Sequence, residues 1–165
     1  MYRSLNRKVK SGHIILLNGV SSSGKSAIAT ELQKILESPY WIMPLDNFLN
    51  SFSYKRVKWF YKSVAVFASE GNNVIVDTVV DKGIHEFQYV QKILRKYHVD
   101  YIGIRCSLDE LKRREMERSD RRRGLAETQF LRVHCGINYK FEVDSTDQSP
   151  LKCAELIGEY LRGQV

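Results

Sequence analysis

The chain has 165 residues, 43% of them hydrophobic and 27% charged, and carries a net charge of +7. That length suits a single domain, expected over residues 1–165, able to bury a core without disulfides or a structural metal. No apolar run reaches the length of a membrane span, so no membrane partner is expected, and the positive charge suits an anionic small ligand or a nucleic acid without choosing between them.

Residues 1–11 read as a flexible basic leader containing Arg3, Arg7, Lys8 and Lys10. A signal peptide is rejected, because the short apolar run that follows leads straight into a phosphate loop that cleavage would destroy. His13 to Asn18 is a continuous aliphatic stretch, the pattern of a strand buried on both faces of a parallel sheet. It runs into Gly19-Val20-Ser21-Ser22-Ser23-Gly24-Lys25-Ser26, which fits the Walker A pattern G-x-x-x-x-G-K-[ST]. In such a loop the glycines let the backbone N–H groups wrap a polyphosphate, and the following helix adds its positive end. Lys25 can reach the β- and γ-phosphates, and the Ser26 hydroxyl can ligate Mg²⁺. ATP with Mg²⁺ is therefore the expected cofactor pair.

Ala27 to Glu37 repeats apolar residues at the helical interval and stops at Ser38-Pro39. Tyr40 to Leu45 is a second strand, with Pro44 at an edge or at the strand's end, and it delivers Asp46 to the sheet edge where open α/β folds bind ligands. The next stretch is rich in aromatic residues. From Phe60 and Val64 to Ser69 a core-packing helix is expected, whereas Phe48, Phe52 and Tyr54 are candidates for lining an acceptor pocket. Asn73 to Asp77 is an apolar strand ending in a carboxylate, the general form of a Walker B element, which makes Asp77 a candidate Mg²⁺ ligand, directly or through water. Ile84 to Tyr97 reads as helix with Phe87, Val90, Ile93 and Leu94 inward, and His85 and His98 at the surface.

Asp100 to Cys106 is a fourth strand, followed by a charged helix from Leu108 to Glu117 and an arginine-rich run to Gly124. One reading is a solvated face on which Glu115 and Glu117 pair with arginines. The other is a lid hinged at Gly124, in which Arg114, Arg118 and Arg121 neutralise charge on a transferring phosphoryl group while Arg113, Arg122 and Arg123 stay in solvent. Leu125 to His134 is expected as helix, Tyr139 to Val143 as the last strand, and Ser149-Pro150 as the start of a terminal helix through Leu161. The three cysteines, Cys106, Cys135 and Cys153, have no metal-ligand spacing and an odd count, so free thiols in a reducing cytoplasm are expected. Alternating elements of this kind imply an α/β fold of three layers, the P-loop NTPase type, with a parallel sheet of about five strands between helices.

Several stretches together resemble the chloramphenicol phosphotransferase family. They are IILLNGVSSSGKS, the strand ending at Asp46, IGIRC with Arg114, Arg118, Asp120, Arg121, Gly124 and Ala126, Val133-His134 with Gly136 and Tyr139, Glu142 to Asp144, and Cys153-Ala154. The resemblance covers most of the chain outside roughly residues 47–68. It implies a P-loop kinase that moves the γ-phosphate of ATP to a hydroxyl of a small molecule, with Asp46 as general base, Lys25 and Ser26 handling phosphate and Mg²⁺, and Arg118 or Arg121 in the lid. Thr78 stands where the family pattern has a second acidic residue, and the segment after Asp46 is shorter and different in sequence. The expected partner is a small hydroxylated substrate, an antibiotic among the candidates. A nucleoside, sugar or sugar-acid kinase is the nearest alternative. A nucleotide-switched nucleic-acid binder ranks last, because the basic run alternates with acidic residues and lacks stacking aromatics.

Overall fold

The computed structural model describes residues 10–51, 57–117 and 124–163. The aliphatic run at the start forms β1 (Ile14–Gly19), which lies between β3 (Asn73–Thr78) and β4 (Val99–Arg105). Beyond them lie β2 (Tyr40–Pro44) and β5 (Phe141–Asp144), so that the described residues form a five-stranded sheet in the order β2-β3-β1-β4-β5, parallel throughout. β1 reads as an unbroken apolar stretch because each of its faces is covered. Ile14 and Leu16 point into one core with Phe60, Val64, Val90 and Leu94. Ile15 and Leu17 point into the other with Ile28, Leu32, Cys153 and Ile157.

The two cores define the helical layers. On one side pack α1 (Lys25–Ile35) and α7 (Pro150–Arg162), and on the other α3 (Val57–Ser69) and α4 (Ile84–Leu94). Ser149 caps α7 by accepting from the Lys152 N–H, with Pro150 in the first turn. Pro44 sits both on the edge strand and at its last residue, where a missing N–H costs least. The chain then turns at once into the short helix α2 (Leu45–Asn50), anchored by buried Leu45.

Three local expectations shift. The Phe48 ring packs edge-on against Phe60, 5.4 Å between centroids, and is held against the core; Phe52 and Tyr54 lie outside the described residues. The helix after Gly124 is only α6 (Leu125–Phe130), with turns from Leu131 onward. Tyr139 precedes β5, and its ring lies over Gly103 of β4. A methyl group on Gly103 would come within 2.8 Å of that ring. Gly103→Ala is expected to cost about 1–3 kcal/mol by overpacking, read as a lower denaturant midpoint with unchanged slope. Among the described residues no helix is long and apolar enough to cross a membrane.

Candidate active site

At the C-terminal edge of the sheet the chain leaves β1 through Gly19. A side chain there would collide with the Ile104 carbonyl at 2.7 Å, so only glycine lets β1 and β4 approach this closely. Val20, Ser21, Ser22 and Ser23 form the loop, Gly24 is the N-cap of α1 in the left-handed region at φ 85°, and Lys25 and Ser26 open the helix. The loop is held from three sides. Gln129 of α6 accepts the Ser21 N–H at 2.9 Å, Ser145 donates its hydroxyl to the Ser23 carbonyl at 2.8 Å, and Lys25 Nζ donates to the Val20 carbonyl at 2.9 Å.

This cradle fits an anion. The first turn of α1 carries no acidic side chain and no side-chain cap, so its positive end is not neutralised from within the helix. The Ser22 and Ser23 hydroxyl oxygens are buried without hydrogen-bond partners, and Ser22 borders the cavity described next. Such orphaned groups in a polar loop suit a ligand rich in acceptor oxygens.

A cavity of about 230 Å³ opens beside the loop, lined by Lys25, Ser26, Asp46, Asp77 and Thr78 among others. Asp77, near the end of β3, is buried, and its Oδ2 accepts the Ser26 hydroxyl at 2.5 Å. A hydroxyl and a carboxylate that meet at this distance can face one Mg²⁺, with the serine coordinating and the aspartate acting directly or through water. Asp46 sits in the first turn of α2, is exposed and lines the same cavity. Thr78 is anchored from behind by a 2.7 Å hydrogen bond with the hydroxyl of fully buried Tyr61.

The arginines divide. Arg114, in α5 (Leu108–Met116), donates Nε to Glu110 at 2.6 Å and Nη2 to the Ser145 carbonyl at 2.6 Å, while its Nη1 lies 3.6 Å from the position of a Cβ built on Gly24. It flanks the loop without lining the cavity. Arg113 faces solvent between Glu110 and Glu117. Arg118 and Arg121, with Arg122 and Arg123, lie outside the described residues. Glu115 is buried and accepts the N–H groups of Gly124 and Ala126 at 2.7 and 3.0 Å, capping α6, while Arg118, three residues on in the sequence, lies outside the described residues.

A second buried group supports the loop from beneath. Asn18 accepts the Val80 N–H at 2.8 Å and donates Nδ2 to the Tyr139 hydroxyl at 2.7 Å. Because Asn18 Nδ2 only donates, the tyrosine keeps its own proton for His134 Nδ1, 2.8 Å away, which leaves the imidazole proton on Nε2. Burial, reinforced by the positive charge of Arg105, pushes His134 down to about 4. The folded state therefore binds fewer protons than the unfolded chain between that value and the ordinary histidine range. The associated stability is present above about pH 6.5 and lost as pH falls toward 4. Discounted for partial exposure, we expect a loss of about 1–2 kcal/mol over this window, and a flatter pH profile for His134→Gln in denaturant titrations.

The strand order, with a phosphate loop between the central strand and α1, is the P-loop kinase architecture. The chain superposes on the APS kinase of Mycobacterium tuberculosis solved with AMPPNP and APS, with a TM-score of 0.71 at 18% identity over 92% of this chain and 98% of the other. A gluconokinase from Sinorhizobium meliloti 1021 gives 0.63 at 16% identity over 96% and 99%. At such low identity these likenesses define the fold alone. The family model for chloramphenicol phosphotransferase-like proteins matches residues 12–59 and 56–162, and the chain belongs to that family. A protein of Mycobacterium tuberculosis strain H37Rv, provisionally named an O-phosphotransferase, is 26% identical over 174 residues, covering 82% of this chain and 76% of the relative.

Proposed function

We propose that the protein is an ATP-dependent O-phosphotransferase that moves the γ-phosphate to a hydroxyl of a small molecule. The observation that carries this reading is the single cavity bringing Asp46, Asp77, Lys25 and Ser26 together beside an uncapped helix N-terminus. The backbone N–H groups of Ser22 and Gly24, the positive end of α1 and the Lys25 ammonium bind and orient the phosphates. Ser26 and Asp77 hold Mg²⁺, which supplies neutralisation of charge on the phosphate oxygens. Asp46, on the lining of the same cavity, accepts a hydrogen bond from the acceptor hydroxyl, orients its oxygen toward the γ-phosphoryl group, and takes the proton as the P–O bond to the leaving ADP breaks. Arg118 and Arg121, which lie outside the described residues, neutralise charge on the transferring phosphoryl group, and Arg114 steadies the loop at Gly24.

The acceptor class is a hydroxylated small molecule, and hydroxylated antibiotics such as chloramphenicol are the first to try because of the family. The test is phosphate transfer from γ-labelled ATP to a panel of such antibiotics, nucleosides and sugars, read against ATP hydrolysis without acceptor. Labelled product from at least one acceptor is expected; hydrolysis that no acceptor alters would count against the reading. Asp77→Asn is expected to raise the Mg²⁺ concentration for half-maximal activity by about 10–100-fold.

A further inference from the structure

At the pole of the sheet opposite the phosphate loop, roughly 20 Å away along β1, His13 lies just before β1, His98 just before β4 and Asp100 within it. We propose that His13, His98 and Asp100 form a binding site for a divalent transition cation, Zn²⁺ in particular, that ties together the beginnings of β1 and β4. Among the described residues this is the group of histidine, cysteine and carboxylate side chains that gathers three ligand atoms within 4.8 Å of one another.

The distances fit an ion. Asp100 Oδ2 lies 2.7 Å from His13 Nε2 and 3.9 Å from His98 Nε2. Tetrahedral Zn²⁺ with bonds of about 2.0–2.1 Å sets its ligand atoms about 3.3 Å apart, between these two values, so shifts of about 0.6 Å admit the ion. The imidazoles of His13 and His98 are stacked, 4.4 Å between centroids at 16°, and a metal must lie in the plane of each ring it binds. One ring therefore has to turn, and His98, with a side chain 62% exposed, does so without disturbing the core.

The surroundings have the form of an outer shell around metal ligands. His13 Nδ1 is 2.8 Å from the Tyr40 hydroxyl, which directs Nε2 toward the ion. Lys140 Nζ holds Asp100 Oδ1 at 3.1 Å and leaves Oδ2 for coordination. Asp100 is almost wholly buried, and the cluster borders a cavity of about 260 Å³ that admits a water as fourth ligand. Two imidazoles and one carboxylate favour Zn²⁺ over Mg²⁺.

The alternative is a metal-free network in which Asp100 is hydrogen-bonded by His13 and paired with Lys140, and the experiment separates the two. The full chain, with Mg·ADP present to occupy the phosphate loop, is titrated with Zn²⁺ by calorimetry and thermal unfolding, and with Co²⁺ by visible absorption. Expected are one equivalent of bound Zn²⁺, a Tm rise of roughly 5–10 °C at a hundredfold excess over Kd, and tetrahedral Co²⁺ bands. His98→Ala, a change at an exposed side chain, should keep the metal-free Tm and weaken Zn²⁺ by about 100-fold or more; His98→Asn serves if the alanine variant folds poorly. Absence of saturable binding, or equal Zn²⁺ affinity in wild type and variant, would overturn the proposal.

Discussion

Replacing Asp46 by asparagine is expected to lower kcat by about 10²–10⁴ while leaving ATP binding intact. The residue stands in the first turn of a six-residue helix whose buried Leu45 anchors it, and it lines the same cavity as Lys25 and Ser26 of the phosphate loop. Asparagine keeps the size and one hydrogen-bonding oxygen but cannot take a proton. The loss should therefore fall on the chemical step, about 3–5 kcal/mol of barrier, with a small change in KM for either substrate. Single-turnover rates at saturating Mg·ATP, with nucleotide affinity measured separately, check both halves. An unchanged turnover would remove Asp46 from the reaction.

Lys25→Met is the second large effect. The side chain is buried and arches over the loop to the Val20 carbonyl, which holds its ammonium at the cradle. Methionine has similar length and an apolar stem, so the fold should persist. The lost interaction is with charge that grows on the phosphate oxygens as the P–O bond breaks, and kcat should fall about 10²–10³-fold. A rise in the KM for ATP should accompany it, because the same ammonium also meets the ground-state phosphates. Thermal unfolding matching wild type, together with this kinetic loss, is the expected pair of results.

The parts of this site that could be read in the sequence are those set by strand ends. β1 announces itself because burial on both faces leaves no polar residue from Ile14 to Leu17, and the glycine spacing after it has a mechanical cause. In a parallel sheet all C-terminal strand ends share one edge, so Asp46 after β2 and Asp77 in β3 had to approach the loop after β1. The supports beneath the loop carry no local signal. Asn18 meets Tyr139 across 121 positions and Gln129 meets Ser21 across 108, contacts that only the finished topology creates. Glu115 stands in an arginine-rich run, three residues before Arg118, in a pattern that suggests helical ion pairs, and nothing local announces that the chain's return at Gly124 gives it backbone N–H groups to cap. Phe48 follows a polar pair and looks available to a substrate, but the turn of α2 swings its ring onto Phe60. The buried Tyr61 behind Thr78 belongs to the same class: an aromatic residue that composition assigns to the core, with a hydroxyl that turns out to brace the cavity wall.

The central claim is that Asp46 activates an acceptor hydroxyl opposite nucleotide held by Gly19 to Ser26. The measurement that tests it most directly is transfer of label from γ-labelled ATP to an acceptor from the panel, run side by side with wild type and Asp46→Asn at saturating Mg·ATP. We predict acceptor-dependent labelled product from wild type, reduced at least about 100-fold in the variant with nucleotide affinity unchanged. Equal product from both proteins, or label released only as inorganic phosphate whatever the acceptor, would contradict the account.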